Sequence, residues 1–244
     1  MSDFALVGLM PTYREGSLVD GAIRSLEDAG LDTIVVWEGP AGADRCDDAP
    51  ETSNAILGHG HWKRGRWESD AAKRTEMLRH TLKQYPGRTV WGIWVDADEL
   101  LVNGRHVRDL VQERVWYDEH GGASIADPDN LPTGGIPIRF VEYDGTCAFE
   151  QGRLLRLDTL RRFVVSNLIV ETVLGSHVRL GRIPETTDLE EMAREAFPGR
   201  RIVSPPLPGE PVIVHRSHLR HPARQALRLH TQEAAELERL GLPR

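Results

Sequence analysis

The stretch that decides the fold is Thr89–Val102, TVWGIWVDADELLV. Val, Ile and Trp in a short run up to Val95 predict a buried strand. The run breaks at Asp96-Ala97-Asp98-Glu99, and apolar residues resume at Leu100. Three carboxylates at the tip of a buried strand are costly unless something positive meets them. A divalent cation is the simplest such partner. Asp96 and Asp98 stand two apart, so an extended backbone turns both to one side, within reach of one hard ion. A solvated acidic turn would carry the same letters. The position directly after a buried strand, where open α/β sheets hold their ligands, favours the metal.

Upstream, Phe4–Leu9 reads as a strand that ends in the loop Pro11-Thr12-Tyr13-Arg14-Glu15-Gly16. Ser17 is a predicted N-cap, and Leu18, Ala22, Ile23 and Leu26 share one helical face up to Gly30. Thr33–Trp37 is a second strand, ending at Glu38-Gly39. Strand, helix and strand with short connections predict a parallel sheet. Residues 39–65 are rich in Gly, Asp and His and read as loop. Ser69 or Asp70 caps a helix that runs to about Tyr85, with Ala72, Met77, Leu78 and Leu82 as its buried stripe; Pro86-Gly87 stops it.

Downstream the pattern loosens. A helix is predicted over Val107–His120, and strands over Ala123–Ala126, Gly135–Val141 and Cys147–Leu157. Phe163–Leu174 is apolar apart from a lone Glu171. Thr187–Ala196 reads as helix, Val212–Val214 as a short strand after the Pro-rich Ser204–Pro211, and Pro222–Leu240 as an amphipathic helix. The expected organisation is one α/β domain over residues 1–244. It comprises a nucleotide-binding half (1–102), an acceptor half (103–221) and a C-terminal helix (222–244).

The composition fits a soluble globule: 40% hydrophobic and 27% charged among 244 residues. A net charge of −7 argues against phosphate-backbone binding by the whole surface. Cys46 and Cys147 form neither a zinc spacing nor a disulfide framework, which points to a reducing compartment. No apolar run is long enough to span a bilayer, so a cytoplasmic location with no anchor is expected.

With these residues in view, Leu6–Glu15, LVGLMPTYRE, resembles the first strand and loop of family 2-like glycosyltransferases of the GT-A fold, and Asp96-Ala97-Asp98-Glu99 resembles that family's Asp-x-Asp motif. The resemblance covers the first hundred residues, in order and spacing. It implies a Rossmann-like, mixed and mainly parallel sheet flanked by helices. It also implies a nucleoside-diphosphate sugar donor, with a uridine diphosphate sugar expected, and dependence on Mn²⁺ or Mg²⁺. Carried over residue by residue, Asp96 and Asp98 hold the metal, and His215, straight after Val212-Ile213-Val214, completes the site. His with carboxylates suits those ions. Zinc held by His215, His218, His221 and His230 has no accompanying Cys and leaves the acidic tip unexplained.

Pro11, Thr12 and Glu15 would line the nucleoside pocket, and Glu38 would meet base or ribose. The family more often has Asp there with a small polar residue after it, so Trp37-Glu38-Gly39-Pro40 departs from the pattern and leaves the base identity open. Asp70, Lys73 and Arg74 match a region that approaches base and diphosphate, where a cation neutralises phosphate. Arg220 and Arg224 match a diphosphate-facing segment. An inverting transfer also needs a base near the acceptor hydroxyl. The candidates are Glu142, Asp144, Glu150 and Glu171, the last with burial expected to raise its pKa. Trp62 and Trp67, among Lys63, Arg64 and Arg66, either stack on a ligand or anchor the loop.

The resemblance leaves the acceptor open among glycan, protein, lipid and modified nucleic acid, and it does not fix the oligomeric state. Two rivals stand beside it. A nucleotidyltransferase shares the sheet and acidic ligands, but its Gly-rich basic loop is replaced here by PTYREG. A non-catalytic glycan- or nucleic-acid-binding module would not need the Asp-x-Asp.

Overall fold

The computed structural model describes residues 4–16, 18–41, 52, 56–57, 59, 61–119, 135–142, 148–165, 169–180, 208–216 and 238–242. The chain runs through β1 (Phe4–Thr12), α1 (Leu18–Glu27), β2 (Thr33–Glu38), β3 (His61–Arg64), α2 (Asp70–Gln84), β4 (Thr89–Trp94) and β5 (Glu99–Val102). A 3₁₀ turn then leads into α3 (Val107–Glu119). There follow β6 (Ile136–Glu142), β7 (Ala148–Arg156), β8 (Leu160–Val165), β9 (Ile169–Thr172), β10 (His177–Arg179) and β11 (Val212–His215).

Eight strands form one sheet in the order β3-β2-β1-β4-β7-β6-β11-β5, and β10-β9-β8 form a second. The half built from β3, β2, β1 and β4 is wholly parallel. β7 runs antiparallel to both β4 and β6, β11 runs parallel to β6, and β5 closes the edge antiparallel to β11. This is the mixed, mainly parallel α/β sheet expected of a GT-A fold.

Both faces of β1, β2 and β4 are covered, so these three strands are apolar along most of their length. Leu6, Met10, Trp91 and Ile93 pack with Val19, Ala22, Ile23 and Leu26 of α1. The alternate residues Ala5, Val7, Leu9, Val90 and Trp94 pack with Met77 and Leu78 of α2 and with Phe163 and Val170 of the second sheet. Trp91 and Trp94 are therefore both core, each 1% exposed, as two-sided cover of parallel strands requires. The Ser69 hydroxyl caps α2 by accepting the Ala72 N–H at 3.0 Å.

Three expectations change. β1 does not stop at Leu9: Pro11 and Thr12 pair with Trp37 and Glu38 of β2, so they are strand and not loop. The stretch taken as loop contains β3, a polar four-residue edge strand parallel to β2. The apolar Phe163–Leu174 is split between two strands, β8 and β9. The predicted strand at Ala123–Ala126, the helix at Thr187–Ala196 and most of the C-terminal helix lie outside the described residues. Among the described residues no helix is long and apolar enough to cross a membrane.

Candidate functional site

The apolar run of β4 leads into a tight acidic turn. The Val95 N–H is held by the Leu9 carbonyl at 3.1 Å, and the turn closes with Glu99 N–H on the Asp96 carbonyl at 2.9 Å. The Glu99 carboxylate reaches back to accept the Asp96 N–H at 2.7 Å. Because β5 starts immediately at Glu99 and pairs antiparallel with β11, Glu99 stands opposite His215 in register. The Arg216 N–H then binds the Asp98 carbonyl at 2.8 Å, and the Arg216 side chain holds the Ala97 and Leu18 carbonyls. A residue more than a hundred positions downstream is thereby fixed against the tip: His215 Nε2 lies 3.0 Å from Asp98 Oδ2.

Asp98, Glu99 and His215 bring ligand-capable atoms within 4.8 Å of one another. Residues 96–98 form a turn, so Asp96 and Asp98 do not alternate along an extended strand, and it is Glu99 that stands beside Asp98 and His215. Asp96 instead faces cations. Arg74 Nη2 donates to its Oδ1 at 3.0 Å, and Arg153 Nη1 lies 4.0 Å from its Oδ2. Arg153 Nη2 also donates to Glu99 Oε1 at 2.7 Å.

Burial pushes the Glu99 carboxyl above its ordinary value; Arg153 opposes the shift, while Asp96 and Asp98 add to it. For Arg74 burial opposes the charge, yet Asp70 and then Asp96 outweigh it and hold the guanidinium charged. Burial lowers the Arg216 guanidinium, against Asp98. Two carboxylates and one imidazole, taken out of water in so small a space, are a donor set that suits a hard divalent cation.

The carboxyl ends of β1, β2 and β3 open onto a cleft of about 290 Å³ lined by Tyr13, Glu38, Gly39, Pro40, Arg64, Gly65 and Arg66. Glu38 lines this cleft, with Arg64 Nε 3.3 Å from its carboxylate. The backbone is pinched here. Gly39 has φ +141°, and a Cβ built on it would stand 1.9 Å from the Gly65 carbonyl oxygen. Trp37, pointing to the other side of the sheet, stacks on Trp67 at 5.5 Å. Trp67 is therefore an anchor, and its indole N–H is held by Glu76 at 2.8 Å. Trp62 is 41% exposed.

Lys73 and Arg74 both make buried contacts within the fold. Lys73 is buried and donates to the Thr12 carbonyl at 2.8 Å and the Gly39 carbonyl at 2.9 Å, with its ammonium 5.0 Å above Trp67. Burial drives its pKa down from 10.5 to about 8, against the pull of Asp70. Arg74 pairs through Nε with Asp70 and through Nη2 with Asp96. Consecutive residues of α2 therefore tie the cleft to the acidic turn. Pro11 and Thr12 are buried strand ends, and the Glu15 carbonyl accepts the first N–H of α1.

Glu171 is buried as expected, but the direction of its pKa is reversed. It sits on β9 in the second sheet, bonded by Arg162 and Arg161. The Arg162 hydrogen bond, outweighing burial, holds its carboxyl below the ordinary value. It lacks the raised pKa that nominated it. Glu142 ends β6 in register with His215, while Asp144 and Arg220 lie outside the described residues. Sequence reasoning missed Arg153 and Arg216. An arginine directly before Leu154-Leu155 in a predicted strand was the available signal for Arg153, since a buried cation implies a buried acid.

No family model matches the chain, and no curated protein matches it. Among solved structures the chain is similar to the crystal structure of S. aureus TarS, at 16% identity and a TM-score of 0.30, covering 57% of this chain and 21% of that one. It is likewise similar to S. aureus TarS 1-349, at 16% identity and 0.29, covering 57% and 35%. The chain spans about a fifth and a third of the lengths of those two chains. Superposition at that level bears on neither activity nor substrate.

Proposed function

We propose that the chain is a metal-dependent glycosyltransferase of GT-A type that moves a sugar from a nucleoside-diphosphate donor, uridine diphosphate being the expected nucleotide, to an acceptor hydroxyl. The observation that carries this reading is the convergence of Asp98, Glu99 and His215, from two distant segments, at the carboxyl edge of a parallel sheet. The Glu38 cleft lies along the same edge.

In this reading Asp98 and His215 hold Mn²⁺ or Mg²⁺, with Glu99 beside them. The ion supplies Lewis-acid stabilisation of charge on the departing diphosphate. Glu38 and Tyr13 receive the nucleoside, with Arg64 and Arg66 bringing positive charge to the cleft. Asp96 is neutralised by Arg74, and with Arg153 nearby it keeps the turn in place. Lys73 sets the spacing of the β1 and β2 ends from beneath. The acid that takes the acceptor proton is assigned to Glu142, at the end of β6.

The test is a panel of sugar nucleotides incubated with the full chain and Mn²⁺. Release of free nucleoside diphosphate, abolished by excess chelator, is expected. A chain that binds donor without turnover would be a binding module, and pyrophosphate exchange into a nucleoside triphosphate would indicate the nucleotidyltransferase.

A further inference from the structure

We propose that Arg153 is a positioning residue for metal binding: its guanidinium fixes the Glu99 carboxylate so that Glu99, Asp98 and His215 present one preformed donor set. This rests on the metal site of the proposed function. Arg153 lies on β7, across the sheet from β5, and is 5% exposed. Its donors are directed separately. Nε is aimed by Gln151 Oε1 at 2.5 Å, Nη2 binds Glu99 Oε1 at 2.7 Å, and Nη1 faces Asp96 Oδ2 at 4.0 Å. The Phe140 ring seats the group from one side, 5.5 Å from its centre.

The other Glu99 oxygen accepts the Asp96 N–H, so both oxygens are fixed and the carboxylate plane cannot turn. Each oxygen keeps a second lone pair for a cation. The remaining cost of ordering this ligand is met on folding, before metal arrives. Stability alone does not account for the pair: a buried ion pair is commonly neutral or worse beside an apolar pair of the same volume. Partners that orient a ligand from behind, by contrast, change metal affinity ~10–100-fold when lost.

The experiment titrates Mn²⁺ into the full chain and follows free Mn²⁺ by its electron paramagnetic resonance signal, with circular dichroism reporting the fold. Arg153→Lys keeps the charge but loses the fork, so Mn²⁺ affinity should fall at least ~10-fold. Arg139→Lys, which alters a more exposed arginine–carboxylate pair, from β6 to Glu210 at 2.8 Å, should leave it unchanged. Should Arg153→Lys not fold, Gln151→Leu tests the same point. It removes only the bond that aims Nε, and should weaken Mn²⁺ about 3-fold, as one modest hydrogen bond does. Wild-type Mn²⁺ affinity in the folded variant overturns the positioning role and leaves the proposed function standing. A wild-type chain that binds no Mn²⁺ overturns both.

Discussion

Replacing Lys73 by Met tests how the strand ends beneath the cleft are held. The ammonium is buried and serves two carbonyls, those of Thr12 and Gly39. Its pKa falls from 10.5 in the open chain to about 8 in the fold, chiefly through burial. Below pH 8 both states carry the proton, and the fold bears the cost of the buried charge. Between about 8 and 10.5 the folded chain has released the proton while the unfolded chain retains it. Stability therefore rises with pH across that window.

At 1.36 kcal/mol for each pH unit, the Lys73 contribution grows by about 3 kcal/mol. The neutral amine still has two N–H groups, enough for both carbonyls. The assay is urea unfolding of the wild type and Lys73→Met from pH 7 to 10.5. Groups other than Lys73 titrate in both proteins and cancel in the difference. The wild type should gain on the variant as pH rises. A difference that stays flat, or that moves the other way, refutes the buried, carbonyl-bound ammonium.

Gly39→Ala should cost at least ~2 kcal/mol in urea unfolding and abolish nucleotide binding in the cleft, because the new Cβ meets the Gly65 carbonyl and φ is +141°; a cost within ~0.5 kcal/mol, as at an ordinary surface site, refutes the pinch. Glu171→Gln removes a carboxyl that Arg162 holds below its ordinary 4.5. The pair's stabilisation is complete above pH 4.5 and is lost as pH falls through the lower folded value. The gap in urea midpoint between wild type and Glu171→Gln should therefore close on acidification, and a widening gap contradicts the ion pair. Glu142→Gln should lower turnover at least ~100-fold if position 142 supplies the base, and an unchanged rate moves that role elsewhere.

The parallel half was legible because two-sided burial leaves a plain sequence trace: β1, β2 and β4 are apolar runs ending in polar residues at one edge. His215 could be placed for the same reason, as the polar residue that ends the apolar run of β11. Side-chain fate at that edge was less legible. Alternation predicted that Asp96 and Asp98 share a side, which holds only for extended backbone, and the chain turns there instead. Lys73 and Arg74 look like a solvated first helical turn. The packing of α2 under the ends of β1 and β2 buries them and spends their charge on carbonyls and carboxylates. For Glu171 burial was read correctly, but the two arginines that reverse its pKa come from β8, a pairing no local pattern announces. β3 escaped notice because an edge strand of His, Trp, Lys and Arg has no apolar period.

The central claim is that Asp98 and His215, with Glu99 beside them, hold a divalent cation that in turn holds the donor's diphosphate. The most direct measurement is calorimetric titration of uridine diphosphate into the chain, with Mn²⁺ and with excess chelator, for wild type and Asp98→Ala. Binding that needs Mn²⁺, and that weakens at least ~10-fold in Asp98→Ala, is the expected result. Equal affinity in chelator, or an undiminished Asp98→Ala, contradicts it.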